Sequence, residues 1–301
     1  MKSRTRRAEA ATCWAVFREV QHSPGRVTDD AGILKAAGRR LEEEAGLAVA
    51  YRKPASLNAR ESAVPALVFS MCEGLPALEI LRRWERRGVC VVNSSRSVTN
   101  THRERMTPLL ESRRIPIPDS RLLVCNGPLP EDREAARLFS ACWIKQATEH
   151  KTREGDVVFA TDPASVQEAL ERLRKRGLSR AVAQRHLEGD LVKFYGVGSA
   201  AETVPGDEAP LPAWFEWFYP KERPVSGHPF DARVLCEVAS RAARALELDV
   251  WGGDVIVTPG GDIFVIDVNA WPSFALFREE AADHIAAHLL ARLRRPARVA
   301  V

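Results

Sequence analysis

The stretch 252–274, GGDVIVTPGGDIFVIDVNAWPSF, constrains the fold more than any other part of the chain. Two runs of β-branched and aromatic residues flank a pair of glycines, and such runs joined by a Gly-Gly turn form a β-hairpin. With Gly260-Gly261 taken as a two-residue loop, Asp254 and Asp267 are equidistant from the turn and face each other across the strands. Asn269, two positions on, shares their face. Val255, Val257, Phe264, Ile266 and Val268 then form the opposite, apolar face. Like charges directly opposed across strands destabilise a hairpin, so a cation between the acids would reconcile them. Two carboxylates and an amide oxygen are hard ligands of the kind that hold Mg²⁺ together with phosphates. The alternative is a surface hairpin with solvated acids.

The first hundred residues alternate strand-like and helix-like stretches, which predicts an α/β unit with a parallel sheet. CWAVFRE, LAVAYR, PALVFSMC and GVCVVNS read as strands. Helices are expected over 29–45, with Ile33, Leu34, Ala37 and Leu41 at helical spacing, and over 76–87, closed by Gly88. Ligands of such sheets gather at the carboxyl ends of the strands. Further on, 100–114 reads as a helix, and LLVCNG, ACWIK, VVFAT, AVAQRHL and DLVKFYGVG read as strands. Asp162-Pro163 opens a helix that Gly177 stops. Residues 199–230 read as irregular; helices then cover 231–246 and 278–295, on either side of the hairpin.

A chain of 301 residues can bury a substantial core as one large or two modest domains. A net charge of +4, much of it in the terminal runs 2–7 and 292–298, is too small to imply a nucleic-acid partner. No apolar run reaches membrane-spanning length, and the first residues lack a signal-peptide core. Of the six cysteines no two have C-x-x-C spacing, so zinc and dithiol chemistry are unsupported. These features together read as a soluble, cytoplasmic protein. The absence of G-x-x-x-x-G-K-[ST] excludes a P-loop. Gly196-Val-Gly198-Ser-Ala-Ala201 fits a loose dinucleotide fingerprint, but Val204-Pro205-Gly206 breaks the helix that pyrophosphate binding requires.

The order of the remaining features resembles the ATP-grasp superfamily, and within it the carboxylate–amine ligases of the glutathione synthetase and ribosomal-protein glutamate ligase types. The resemblance runs through GVCVVNSSRSV, THRERMTPLLESRRIPIP, WIK, AVAQRHLEGD and the hairpin, and covers nearly the whole chain. It implies an α/β (α+β) ATP-grasp fold: a Rossmann-like N-terminal domain over 1–98, then an ATP-grasp domain over 99–301. The latter would hold a small lid subdomain near 140–188 and a metal-binding subdomain near 189–301. By resemblance, Arg105 and Lys145 contact ATP phosphates, and Gln184, Arg185, His186 and Leu187 border the adenine. Asp190 meets the ribose, and Lys193 binds phosphate or the reacting intermediate. Asp254, Asp267 and Asn269 hold Mg²⁺, with Mn²⁺ as the alternative ion. The loop after Lys145 departs from the family: it has Gly155 but little other glycine, with His150, Lys151 and Arg153 as its positive charges.

The implied reaction is attack of a substrate carboxylate on ATP, then displacement of phosphate from the acylphosphate by an amine. A thiol as the second nucleophile falls within the same reading. The substrates would be small molecules or peptides. Trp271, Ser273 and Arg278, just past the metal hairpin, are the expected substrate contacts, and Lys193 and Arg278 the expected catalytic cations. The aromatic segment 214–219 has two readings, a lid over an apolar substrate or packing beneath a loop or at a homodimer contact. A small-molecule kinase of the inositol-phosphate kinase type and a nucleotide-binding module without turnover remain the alternatives.

Overall fold

A computed structural model describes residues 12–148, 155–199 and 211–294. His150, Lys151, Arg153 and the break at 204–206 lie outside the described residues. The alternating first hundred residues form a parallel sheet of order β2-β1-β3-β4, from β1 (Thr12–Val16), β2 (Ala48–Arg52), β3 (Leu67–Ser70) and β4 (Cys90–Val92). The crossover from β1 to β2 is α1 (Val27–Ala45), which buries Ile33, Leu34, Ala37 and Leu41. The crossover from β3 to β4 is α2 (Leu75–Glu85), with proline in its first turn as expected.

The helix expected over 100–114 forms as α4 (Arg103–Ser112), starting three residues later than expected because a separate short helix, α3 (Ser95–Asn100), precedes it. The Ser94 hydroxyl opens α3 by accepting from the Ser97 N–H at 3.0 Å, and at its end the Thr101 hydroxyl donates back to the Val98 carbonyl at 2.7 Å. His102 then takes an extended ψ of 129°. Side chains that satisfy backbone groups locally compete with helix continuation. The break makes Arg103 the first residue of a new helix.

A second sheet, antiparallel and of order β5-β8-β6-β7, comprises β5 (Ser120–Val124), β6 (Cys142–Gln146), β7 (Val157–Ala160) and β8 (Arg180–Arg185). It is backed by α5 (Arg133–Phe139) and by α6 (Pro163–Lys175), which Asp162 caps through a reciprocal capping box. Leu123, Ile144, Leu170 and Ala183 lie in a hydrophobic cluster of its own. The third sheet, also antiparallel, has order β10-β9-β11-β12: β9 (Asp190–Val197), β10 (Trp214–Phe218), β11 (Val250–Val257) and β12 (Ile263–Ala270). Helices α7 (Ala232–Ala245) and α8 (Arg278–Leu293) complete the chain's described elements. The first and third sheets share their cores: Trp14, Val68 and Trp84 pack in one cluster with Val192, Leu235 and Val265.

Strand β10 corrects the expectation of an irregular 199–230. The run Trp-Phe-Glu-Trp-Phe has no polar alternation to mark a strand; pairing with β9 along its full length supplies the order. Trp214 is buried against Phe274 and Phe277, whereas Phe215 and Trp217 pack on the other core. Packing, rather than a lid, is the main role of these rings.

The hairpin forms, and Asp254 does lie opposite Asp267. Two departures from the expected register cancel. The turn is longer, because Thr258 and Asp262 still pair through a 2.9 Å bond, leaving Pro259, Gly260 and Gly261 as the loop. A β-bulge then inserts Ile266 on β12, between the pairs Val255–Val265 and Asp254–Asp267. The bulge also corrects the apolar face. Val255, Val257, Ile263, Val265 and Val268 are the core side, whereas Ile266 turns towards the acids. Gly253, beside Asp254, has no room for a side chain: a Cβ there would lie 2.3 Å from the Asp267 carbonyl oxygen and 2.5 Å from the Phe194 ring. Gly253→Ala is therefore expected to cost about 3 kcal/mol in urea denaturation through overpacking; an unchanged midpoint would mean the hairpin is not held this tightly.

Candidate active site

The second and third sheets enclose a cavity of about 920 Å³. The linker Arg185–Asp190, which joins β8 to β9, closes one end. Arg18, His22, Ser23 and Glu73, beyond the carboxyl ends of β1 and β3, close the other. This is the place where an open parallel sheet offers a site. Gly189 lets the linker pass close beneath the hairpin: its φ is +151° and a Cβ would meet the Val257 oxygen at 2.2 Å.

On the floor, strands β9, β11 and β12 set Lys193, Asp254 and Asp267 in a row, each the cross-strand partner of the next. Lys193 Nζ lies 2.7 Å from Asp254 Oδ1. Burial works to lower the Lys193 pKa, but the Asp254 carboxylate outweighs it and holds it above the ordinary range. Asp267 Oδ2 takes a 2.8 Å bond from Arg103, whose side chain is 4% exposed. The opposed carboxylates are thus neutralised by two cations of the protein itself, so their mutual repulsion does not by itself require a metal ion.

From the roof, β6 lowers Lys145 into the cavity. Its ammonium donates to Gln184 Oε1 at 2.6 Å and to the Ile266 carbonyl at 3.0 Å. The second bond exists because the bulge turns the chain there. Burial drives the Lys145 pKa down to about 8, with Arg103 adding to the fall and Asp267 and Asp254 opposing it. Three cations from three separate elements therefore surround two acids, and two of the three are already paired with them.

Ten of the residues singled out in the sequence line this cavity together: Lys145, Gln184, Arg185, His186, Leu187, Lys193, Asp254, Asp267, Asn269 and Ser273. Four do not. Arg105 is exposed on α4, because two helical positions from Arg103 it points to the opposite side; Arg103 occupies the cavity instead. Asp190 is buried and accepts three backbone N–H groups, from Ser226, Gly227 and His228, at 2.6–2.8 Å. Burial would raise its pKa, but these bonds hold it below the usual range. It fastens the loop that carries Tyr219, Lys221 and Arg223 to the cavity wall. Asp190→Ala should therefore cost about 2–3 kcal/mol of stability and leave nucleotide affinity within about twofold. A large loss of affinity with stability intact, in nucleotide titration and urea denaturation, would restore the ribose contact.

Trp271 is fully buried, stacked on Phe69 with centroids 6.0 Å apart, and serves the junction of the first and third sheets. Arg278 pairs with Asp29 of α1 at 2.9 Å and packs over Gly32, so it docks α8 on α1. No sequence pattern pointed to Arg103, Arg18, His22 or Glu73, which reach the cavity through folding alone. Arg18 bonds Glu73 at 2.9 Å and also donates to the Trp271 carbonyl. Burial opposes its charge, but Glu73 and Asp30 outweigh it, so its pKa is raised.

The fold matches known structures across its length. D-alanyl-alanine synthetase A from Vibrio cholerae superposes with a TM-score of 0.69 at 11% identity, covering 95% of this chain and 99% of that one. The ATP-grasp fold is what these matches share. This chain has it. VanG D-Ala:D-Ser ligase from Enterococcus faecalis gives 0.67 at 14%, covering 95% and 100%. A RimK domain ATP-grasp protein from Sphaerobacter thermophilus gives 0.62 at 16%, covering 93% and 98%. No protein-family model matches the sequence, and no curated protein matches it. In this fold the cavity falls between the second sheet and the hairpin sheet. No helix among the described residues is long and apolar enough to cross a membrane.

Proposed function

We propose that the protein is an ATP-dependent ligase that joins a carboxylate to an amine through an acylphosphate. One observation carries this reading: Lys145, Arg103 and Lys193 converge on Asp254 and Asp267 inside a single cavity whose floor also presents Asn269. Phosphoryl transfer needs little covalent help from protein, but it needs charge neutralised around the transferring group and the reactants held in line. The cavity volume suits a nucleotide with a small second ligand.

The linker supplies an edge for the base. Among the described residues the Leu187 N–H and carbonyl have no hydrogen-bond partner, so both are available to a purine. Beside it, Trp143 Nε1–H donates to His186 Nδ1 at 3.2 Å, which fixes the imidazole ring. Lys145, held by Gln184 and the Ile266 carbonyl, points its ammonium at the phosphates. Arg103 and Lys193 stand on either side of the carboxylates and can shift to phosphate oxygens when these arrive. Lys193 is then the cation closest to the reacting carboxylate. The far end of the cavity, with Arg18, His22 and Ser273, receives the acid and the amine.

The donor set suits Mg²⁺. Asp254 uses only Oδ1 towards Lys193, and the Asn269 amide, on the cavity wall, has no partner among the described residues. Those residues contain no group of three His, Cys, Asp or Glu side chains placed to hold a metal, so Asn269 and ligand oxygens would complete the shell. When bound, the ion would offset the negative charge of the phosphates. The sequence division fits this reading, with 1–98 as the N-terminal domain and 99–301 as the ATP-grasp domain.

The test is to screen pools of carboxylic acids, amino acids and peptides with ATP and Mg²⁺, scoring ADP and inorganic phosphate separately. A ligase releases phosphate only when acid and amine are both present. ADP without free phosphate, together with a phosphorylated sugar or inositol, would replace the ligase by a kinase. No turnover with saturable ATP binding would leave a binding module.

A further inference from the structure

Of the three residues placed around the metal, Asp254 and Asp267 are each fixed by an ion pair, whereas the Asn269 amide has no partner among the described residues. Its aim therefore depends on the backbone that carries it. The sheet holds that backbone from one side only: β12 is an edge strand paired with β11, and Asn269 stands one residue before its end. A side chain from the carboxyl end of β1 reaches this point. Arg18 Nη2 donates to the carbonyl of Ala270, at 3.3 Å, and to that of Trp271. Resting on the metal site described above, we propose that Arg18 is a positioning residue for the metal. It acts through the end of β12, which it holds so that Asn269 keeps to the face of Asp267 and Ser273 to the cavity wall.

The turn after the strand needs such a hold. Trp271 has a φ of +43° and Phe274 of +48°, left-handed conformations that cost bulky residues free energy. A backbone of this kind persists only where its surroundings over-determine it. The Trp271 ring stacks on Phe69, and Phe274 packs on Tyr195 with centroids 4.9 Å apart. Pro272 lies over Gly252, the cross-strand partner of Asn269, where a Cβ would come within 2.7 Å of the proline ring. The carbonyls are a separate matter. In a hydrogen-bonded antiparallel pair the two residues exchange both N–H···O bonds. The Trp271 N–H does donate to the Val250 carbonyl at 2.9 Å, but the Val250 N–H goes to Asn93 Oδ1, also at 2.9 Å. Arg18 supplies the donor that the Trp271 carbonyl has lost.

Arg18 is itself aimed. Its Nη1 lies 2.9 Å from Glu73 and its Nε 3.6 Å from Asp30, which also accepts from the Ser23 hydroxyl at 2.6 Å. Two acids, one beyond β3 and one on α1, thus direct a planar guanidinium at two successive carbonyls of the hairpin sheet. The point charge of a lysine cannot reproduce that set of bonds.

The experiment measures the affinity of the full chain for the non-hydrolysable analogue β,γ-imido-ATP by calorimetry over a series of Mg²⁺ concentrations. R18M/E73Q removes the guanidinium without stranding the Glu73 charge, and R18K keeps the charge but loses the fork; circular dichroism confirms the fold of each. In R18M/E73Q the Mg²⁺ concentration that gives half of the affinity gain is expected to rise on the order of 10–100-fold, the usual cost of losing a group that orients a metal ligand. Affinity for the metal-free analogue should stay unchanged. R18K should shift the midpoint in the same direction by a smaller factor, and it carries the test if R18M/E73Q does not fold. An unchanged Mg²⁺ midpoint in a folded variant, or an equal loss of affinity with and without Mg²⁺, would overturn the positioning role and leave Arg18 as a tie between the first and third sheets. A wild-type chain that binds the analogue no better with Mg²⁺ than without it would instead overturn the metal reading, and this role with it.

Discussion

Lys145→Met is expected to abolish nucleotide binding while leaving the fold at least as stable as wild type at pH 7. The side chain is 6% exposed, and a buried ammonium is costly unless something negative arrives to meet it. Methionine has similar volume and adapts to an irregular pocket, so packing survives, although the bonds to Gln184 and the Ile266 carbonyl are lost at about 1 kcal/mol each. The pH dependence gives a sharper signature. In the folded chain the lysine titrates near pH 8, below its unfolded value of about 10.4. The unfolded state therefore binds the extra proton between these limits, and wild-type stability rises with pH across that window. The penalty is complete below pH 8 and is progressively relieved above it. From pH 7 to 9.5 this group contributes about 2 kcal/mol of rising stability, which Lys145→Met should lack. Urea denaturation at both pH values measures the difference; identical slopes in the two proteins would refute the buried-lysine assignment. Nucleotide phosphates favour the charged form, so ATP binding above pH 8 should take up a proton. Its affinity should then fall about tenfold per pH unit until the pH passes the pKa of the lysine in the complex. Calorimetry in two buffers of different ionisation enthalpy detects that proton.

Asp267 separates chemistry from stability only if the substitution is chosen with its partner in mind. Asp267→Ala strands Arg103, a guanidinium 4% exposed in its side chain, and removing one member of a buried pair costs about 3–5 kcal/mol. Activity lost in that variant would say little about a metal ion. Asp267→Asn keeps an acceptor for Arg103 and removes the charge. It should remain folded while ATP turnover falls on the order of a hundredfold or more, the scale seen when a preorganised charge in a transfer site is removed. Full turnover in a folded Asp267→Asn protein would remove Asp267 from the metal set. As a companion measurement, Arg105→Ala should leave activity within about twofold, since surface positions away from a site change little. Arg103→Met should weaken ATP binding and also disturb Asp267.

Much of the site was legible because it lies on strands. Residues that alternate along a strand share a face whatever the rest of the chain does, and Asp254, Asp267, Asn269, Lys145 and Lys193 all follow that rule. The Gly-Gly turn led to the right pair of acids for an incomplete reason: a longer loop and a bulge at Ile266 compensate each other, and neither is marked in the sequence. Where the readings failed, the cause was long-range. Asp190 stands at the start of a strand, where a ribose contact is reasonable, but the loop 226–228 folds back onto it. Trp271 and Arg278 follow the hairpin directly, yet Phe69 of the first sheet and Asp29 of α1 draw them into packing between the first and third sheets. The break after Asn100, where the Thr101 hydroxyl bonds back to the Val98 carbonyl, sets the start of α4 at Arg103, and it is Arg103 rather than Arg105 that reaches the cavity.

By itself the sequence determined the alternation of strands and helices, the parallel first sheet, the acidic hairpin and the lysine that faces it. All of these depend on periodicity and on neighbours close along the chain. Only the tertiary structure decided which cation meets each acid and which residues close the far end of the cavity. Those arrangements join side chains far apart along the chain, 61 positions for Lys193 and Asp254 and 164 for Arg103 and Asp267, and no local pattern records them because their free energy is gained only when separate elements dock.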